Sequence, residues 1–187
     1  MTALLGHFIR EPRGVHFDGQ DNEERIILFL RQHFIVNIKW VFITAVLFFI
    51  IPIFDFLLGF GGTSVSQIMP GKYYFVLRFL LALFTFGYFF ENFLSWYFNS
   101  YIVTNKRVVD IDFYGITHRR FSEAPLRNIE DITNNISGFG PVVFHYGDVS
   151  IQTAAEAREI TFENVPNPDR VQDIVSDLIS KIKGESE

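Results

Sequence analysis

The chain has no cysteine among its 187 residues. Disulfides, thiol catalysis and Cys-ligated zinc or iron–sulfur sites are thereby excluded, while the redox compartment stays open. A positive charge balance is also missing: 16 Lys and Arg against 21 Asp and Glu leave a net charge of −5. No nucleic-acid partner is expected, because backbone phosphates reward a basic face. The five histidines form no i, i+4 ligand pair and no H-E-x-x-H arrangement. His118 and His145 read as strand surface residues. Glu130, Asp131 and Asp148 could bind a cation, but Asp148 reads better as a turn residue. The sequence contains no P-loop, no G-x-S-x-G and no dinucleotide fingerprint. "GFGP" (138–141) does not stand between a strand and a helix, so it reads as a turn or bulge where the chain changes sheets. Neither catalysis nor a metal, cofactor or small-molecule substrate is expected. The opening "MTALLGHFIREPRG" lacks a basic leader and a long apolar core, so it is not read as a signal peptide.

What the chain has in quantity is phenylalanine, 23 residues of it. Most lie between Phe34 and Phe98. Two runs there, "WVFITAVLFFIIPIFDFLLGF" (40–60) and "YYFVLRFLLALFTFGYFFENFLSWYF" (73–98), approach the roughly 20 apolar residues that a bilayer crossing needs. Trp40, Tyr73, Tyr74, Trp96 and Tyr97 stand near the run ends, where an interfacial aromatic belt belongs. The expected organisation is an N-terminal cytoplasmic arm and membrane-approach segment (1–33), then a transmembrane hairpin (34–99). Its spans cover about 38–60 and 73–98, with an outer loop at 61–72. Arg25, Arg31 and Lys39 before the first span, and Lys106, Arg107, Arg119 and Arg120 after the second, place both termini in the cytoplasm. The expected location is the plasma membrane, crossed twice.

Four ions lie in or beside the spans. At about 1.5 Å per residue, Asp55 and Arg78 fall at similar depth near the outer ends, and Lys39 and Glu91 near the inner ends. Unpaired charge in hydrocarbon is costly, so an Asp55–Arg78 contact is expected. For Lys39 and Glu91 the alternatives are a pair or two side chains that snorkel separately. Pro52 is expected to kink the first span.

After Ser100 the texture changes to short β-rich runs between turn signals. "SYIVT" and "RVVDIDF" flank Asn105-Lys106, "ITHRRFS" follows Tyr114-Gly115, and "NIEDITNNI" follows a Pro-containing loop. "PVVFHY" and "VSIQT" flank Gly147-Asp148, which reads as a hairpin turn, and "REITFENV" follows the small-residue loop 154–157. About seven strands in this space indicate a small antiparallel barrel or sandwich. A helix over 168–183 closes the chain. Asn167 suits its N-cap, Pro168 the first helical position, Asp169 the dipole, and Gly184 the stop. Val171, Ile174, Val175, Leu178, Ile179 and Ile182 form its apolar face.

The segments "YIVTNKRVVDID", "SEAPLRNIEDI", "GFGPVVFHYGDVSIQT" and "ITFENVPNPDRVQDIV", in that order, resemble the bacterial pleckstrin-homology-like family. The resemblance is to its YdbS-like class, which has a paired-helix membrane anchor. Upstream, "EERIILFLRQHFIV" is similar to the stretch before the family's first helix, with Arg31 and His33 as its Arg-x-His. The similarity runs from about Glu23 to Ile182. Residues 1–22 and His145 depart from the pattern. The resemblance implies an α+β membrane protein: a two-helix hairpin followed by a seven-strand PH-like domain with a C-terminal helix, and no enzymatic activity.

By the same resemblance, the loop that holds inositol phosphates in eukaryotic relatives corresponds to Thr104–Arg107. The first strand runs outward from the end of the second span, which puts this turn about 15–20 Å away. The Debye length is only about 8 Å, so Lys106 and Arg107 make the weaker candidates for lipid contact. The next turn comes back, and Arg119 and Arg120, with Phe113 and Tyr114, are the residues expected to touch anionic headgroups if any do. The leading functional expectation is a membrane-anchored module that presents its barrel to protein partners or to a second copy. The alternative is an anionic-lipid sensor at the inner leaflet, and a remote third is a subunit of a transport or enzyme complex.

Overall fold

The computed structural model describes residues 7–12, 14, 16, 17, 19–63, 69–114, 118–154 and 159–184. The chain divides into two compact units, Met1–Val36 with Tyr97–Glu187, and Asn37–Trp96. Three expected loop features fall partly outside the described residues: the middle of the 61–72 loop, Gly115 of the second turn, and most of the loop after Ala154.

The second unit is a helical pair. Helix α1 (Asn37–Gly59) and helix α2 (Gly71–Phe98) are each long and apolar enough to cross a membrane. Only Ile51 in α1 and Thr85 in α2 are buried. A helix in a water-soluble core would instead bury a continuous stripe. Helix α1 runs on through Pro52 as one element. Thr44 and Thr85 turn their hydroxyls back onto the Trp40 and Leu81 carbonyls at 2.8 and 2.7 Å, which hides those donors within the helix.

The first unit consists of two antiparallel sheets and a helix. Strands β1 (Phe8–Arg10), β2 (Ile26–Leu30), β3 (Ser100–Thr104), β4 (Arg107–Tyr114) and β5 (His118–Pro125) form a five-stranded sheet in that order. Strands β6 (Ile129–Asn135), β7 (Tyr146–Thr153) and β8 (Glu159–Pro166) form a three-stranded sheet. Leu28, Leu30, Tyr101, Val103 and Val108 from the first sheet meet Val149, Ile151 and Phe162 from the second in the main core. Helix α4 (Pro168–Gly184) adds Val171 and Val175, both fully buried, with Ile174, Leu178, Ile179 and Ile182 packed against the same cluster. This is the apolar face that the helical spacing predicts. On the outer face of the large sheet, Phe29, Ile102, Val109 and Ile111 form a second cluster, covered in part by Ile9 and Phe17.

Several expectations change. The N-terminal segment is more than an arm: it contributes β1 and β2, through pairs such as Phe8↔Leu30 and Leu30↔Tyr101. The continuous apolar run "IILFL" is strand-like, and its inner partner, β3, lies beyond the 69 intervening residues 31–99. Among the described residues, six strands follow Ser100 where seven are expected, and the two sheets share no hydrogen-bonded ladder, which makes an open sandwich rather than a closed barrel. "PVVFHY" is not a strand. Helix α3 (Phe139–Phe144) replaces it, entered through Gly138 at φ 107° and ended by His145 in the left-handed region at φ 51°. Pro141 cannot donate to a β ladder but is tolerated in a helix's first turn, which outweighs the β preference of Val142 and Val143.

The Gly147-Asp148 pair lies inside β7, beside a register shift, and is not a turn. A Cβ at Gly147 would come within 2.6 Å of the Asn135 carbonyl oxygen, so close approach of β6 demands glycine there. The Asp148 carboxylate accepts a hydrogen bond from the Asn164 N–H at 2.8 Å. Asn164 itself holds φ 51°, so Asp148 fixes an irregular point of β8 instead of a turn of its own.

Candidate functional site

The β3–β4 turn carries the first two candidate cations. Lys106 pairs with Asp21 at 3.0 Å. Arg107 is held by Glu24 through two hydrogen bonds, at 3.0 and 2.9 Å, and pairs also with Glu123. The Glu24 side chain is fully buried. Burial alone would raise its carboxyl, but hydrogen bonds from Arg107, Thr104 and the Asp21 N–H outweigh that and hold it below the usual range. The Glu24 hydrogen bonds likewise push Arg107 further above its ordinary value. Asn105 adds to the lock, accepting a hydrogen bond from the Arg25 N–H at 2.9 Å. These cations are already neutralised by acids of the N-terminal segment, which the spacing of "TNKR" could not reveal. The partners lie more than eighty residues upstream.

The β4–β5 turn occupies the opposite end of the large sheet. Ser100 pairs with Ile111, and the Asn99 side-chain oxygen accepts a hydrogen bond from the Phe113 N–H at 2.6 Å. The Phe113 ring packs on Phe98 at 5.3 Å, and the Arg119 guanidinium lies 5.7 Å over the Phe113 ring. Tyr114 and His118 pair across the turn. Neighbouring strand residues point to opposite faces, and this separates Arg119 from Arg120. Arg119 joins Phe113 on the outer face. Arg120 stands opposite Asp112 on the inner face, where its charge acts on Asp110. The two arginines therefore do not make one clamp.

Asp110 is a group that sequence reading missed. It is 93 % buried by difference from its 7 % exposure, and its Oδ1 accepts no hydrogen bond. Burial, then the neighbouring Asp112, raises its carboxyl to about 7, against the lowering effect of Arg120. Glu163 is raised too, by burial and then by Asp112 and Asp148. Alternation along "VVDIDF" marks Asp110 and Asp112 as same-face residues. Which face they occupy is set only by the pairing with Tyr101.

Between the two edge strands, β5 and β8, lies a cavity of about 480 Å³. Arg120, Ser122, Glu123, Thr153, Glu159 and Ile160 are among its lining residues. Among the described residues, each of the two strands is hydrogen-bonded within its sheet on one side only. The cavity is therefore bordered by two backbone edges of unequal sheets, with one cation, Arg120, and two anions, Glu123 and Glu159, in its lining.

In the helical unit, Tyr74 donates a hydrogen bond to Asp55 at 2.6 Å and interacts with Arg78 as well. The expected outer ions are thus gathered on one phenol. Lys39 and Glu91 form no ion pair with each other among the described residues. Their levels correspond, since Trp40 packs edge-on against Phe89 at 5.5 Å, but both side chains sit on exposed helix faces. No cluster of three His, Asp or Glu able to hold a metal occurs among the described residues.

A last cluster joins β2 to β7. Arg31 lies over the Tyr97 and Phe29 rings at 4.8 and 5.5 Å. His33 stacks on Phe34 and Tyr146, at 4.7 and 5.2 Å, and its N–H donates to the Asn164 carbonyl. Burial, and then its neighbour His7, holds the His33 imidazole below its usual range. The Arg-x-His spacing thus serves packing, Arg31 against the Phe29 and Tyr97 rings and His33 against Tyr146 of β7.

The family model "Bacterial PH domain" matches residues 38–179, a stretch that takes in both long helices and all but the end of α4. Among solved structures, a DUF1696 family protein with a pleckstrin-homology domain from Shewanella loihica PV-4 is similar at 17 % identity. That match covers 44 % of this chain and 68 % of that one, with a TM-score of 0.33. No curated protein matches.

Proposed function

The chain belongs to the bacterial PH domain family, and from that premise we propose that it is a membrane-anchored, non-catalytic interaction module. In this reading α1 and α2 cross the plasma membrane, both termini lie in the cytoplasm, and the sandwich receives an extended segment of a protein partner along the seam between β5 and β8. The observation that carries the reading is that seam. It offers two unpaired strand edges around a cavity of about 480 Å³. Added strands gain affinity from main-chain hydrogen bonds and specificity from alternate side chains. Here Arg120 and the acids Glu123 and Glu159 would select a segment with charges of both signs.

Photo-crosslinking from native membranes tests this directly. A photoreactive residue at Ser122 is expected to capture a protein, and Ser122→Pro, which disturbs the β5 edge, to abolish the capture of the same protein from a neighbouring position. Capture of lipid alone would refute the reading.

A second reading, anionic-lipid sensing, is favoured by one contact: Arg119 over Phe113, which rests on Phe98 at the end of α2. If it holds, Arg119→Glu weakens contact with anionic vesicles and Arg120→Glu, on the other face, does not.

A further inference from the structure

Helix α3 exposes an apolar surface that nothing above explains. Phe139 is 86 % exposed, Val142 59 %, Val143 48 % and Phe144 52 %. From Gly138 to Phe144 there is no charged residue. A soluble domain seldom leaves so many large apolar side chains together in water.

The position of α3 within its unit indicates what covers it. Gly140 packs against the Tyr146 hydroxyl, where a Cβ would stand at 3.2 Å. The Tyr146 ring stacks on His33, and His33 stacks on Phe34, itself 52 % exposed. Phe34 opens the short 3-10 turn Phe34–Val36, which leads without a break into α1 at Asn37. The aromatic file therefore runs from α3 to the point where the unit passes its chain to the first long helix. The other connection leaves from the same end of the sheet: Leu30, at the end of β2, pairs with Tyr101, two residues after Asn99. Phe98 there is 46 % exposed. Among the described residues, no comparable apolar group occurs at the β3–β4 end, where the exposed side chains include those of Asp21, Arg25, Asn105 and Lys106.

We propose that α3 is a bilayer-contact element, a short helix whose phenylalanines and valines enter the headgroup–acyl boundary of the membrane that holds α1 and α2. This inference rests on the membrane anchoring proposed above and is independent of the seam. The dimensions agree. Six residues of helix are about 9 Å long, far too short to span, while apolar side chains on a helix lying in the interface reach about 5–10 Å into the headgroup–acyl boundary. Pro141 falls in the first turn, where its missing N–H leaves one fewer unsatisfied donor near lipid. Gly138 and the left-handed His145 bring the chain into and out of the helix sharply, so only the apolar residues project.

The test uses the full chain and the absence of native cysteine. Val142→Cys and, as the control, Asn105→Cys are each labelled with an environment-sensitive fluorophore in nanodiscs of phosphatidylethanolamine and phosphatidylglycerol. Alkaline extraction of the full chain from membranes reports anchoring separately. The expected result is a blue-shifted Val142 label quenched by spin-labelled lipid, with the Asn105 label unshifted and unquenched. A chain that resists extraction but shows a water-exposed Val142 label overturns the inference and leaves the anchoring intact. A shifted label that lipid quenchers do not reach means that protein, such as a second copy, covers α3, and also overturns it. A chain released by alkali overturns both.

Discussion

The two ends of the five-stranded sheet differ in how their prominent residues are used. At the β3–β4 end the conspicuous cations are already paired: Arg107 with a fully buried Glu24, and Lys106 with Asp21 in an exposed bridge. At the opposite end the conspicuous residues are apolar and turned outward, in α3, Phe34 and Phe98. A charge cluster at a turn is thus no guide to a binding surface until its partners are known. An uncharged run that reads as core is no guide to burial until its backbone path is known. The difference teaches that availability, rather than residue type, distinguishes a candidate site from structural cement.

The sharpest way to break this comparison is to remove Arg107. If it is structural, Arg107→Met leaves Glu24 buried without its cation and costs about 3–5 kcal/mol of stability, as for other broken buried pairs. Equilibrium unfolding of the detergent-solubilised chain measures it, and a loss below about 1 kcal/mol would return Arg107 to the list of free surface cations. The next effect concerns Asp110 between the ends. Its carboxyl is raised from 3.8 to about 7, so between those values the folded chain holds more protons than the unfolded one. Stability from this group is complete below about pH 4 and falls as pH rises through about 7, by an amount of order 2–4 kcal/mol. Asp110→Asn is expected to flatten the decline in thermal midpoint between pH 5 and pH 8, and an unchanged slope would mean that Asp112, Glu163 or another group carries it.

Next in size is Gly147→Ala, beside α3. The added Cβ meets the Asn135 carbonyl at 2.6 Å, and the forced backbone shift costs roughly 1–3 kcal/mol, measurable by the same unfolding experiment. The smallest stability effect belongs to α3 itself. Val142→Glu changes an exposed side chain and is expected to alter stability by no more than about 0.5 kcal/mol. A larger loss in lipid-free detergent solution would show that α3 is packed rather than presented. Arg107 and Val142 should therefore behave oppositely, which is the comparison in its most testable form.

Much of this architecture was legible in the chain. The long apolar runs gave two helices, and the spacing of Val171, Ile174, Val175, Leu178 and Ile179 gave α4 with its correct buried face. The alternation of "SYIVT" and "RVVDIDF" gave the hairpin at the centre of the large sheet. What failed was local in appearance and non-local in cause. "PVVFHY" has strand-forming residues, but Pro141 and the path through Gly138 turn it into a helix. Gly147-Asp148 has turn residues, yet β6 approaches so closely that glycine is needed in mid-strand. β2 pairs with β1 on one side, but its other partner, β3, lies beyond both long helices, where no local pattern points to it. The adjacent Arg119 and Arg120 looked like one site until a period of two sent them to opposite faces.

The sequence by itself determined which segments avoid water and with what periodicity, because hydrophobic burial and backbone geometry act residue by residue. From this follow the two long helices, the β-rich domain and its closing helix. Only the tertiary structure decided which charges are satisfied and which apolar groups are left exposed. Those outcomes depend on partners brought together across the chain, Glu24 to Arg107 and His33 to Tyr146, and no local pattern records such distances.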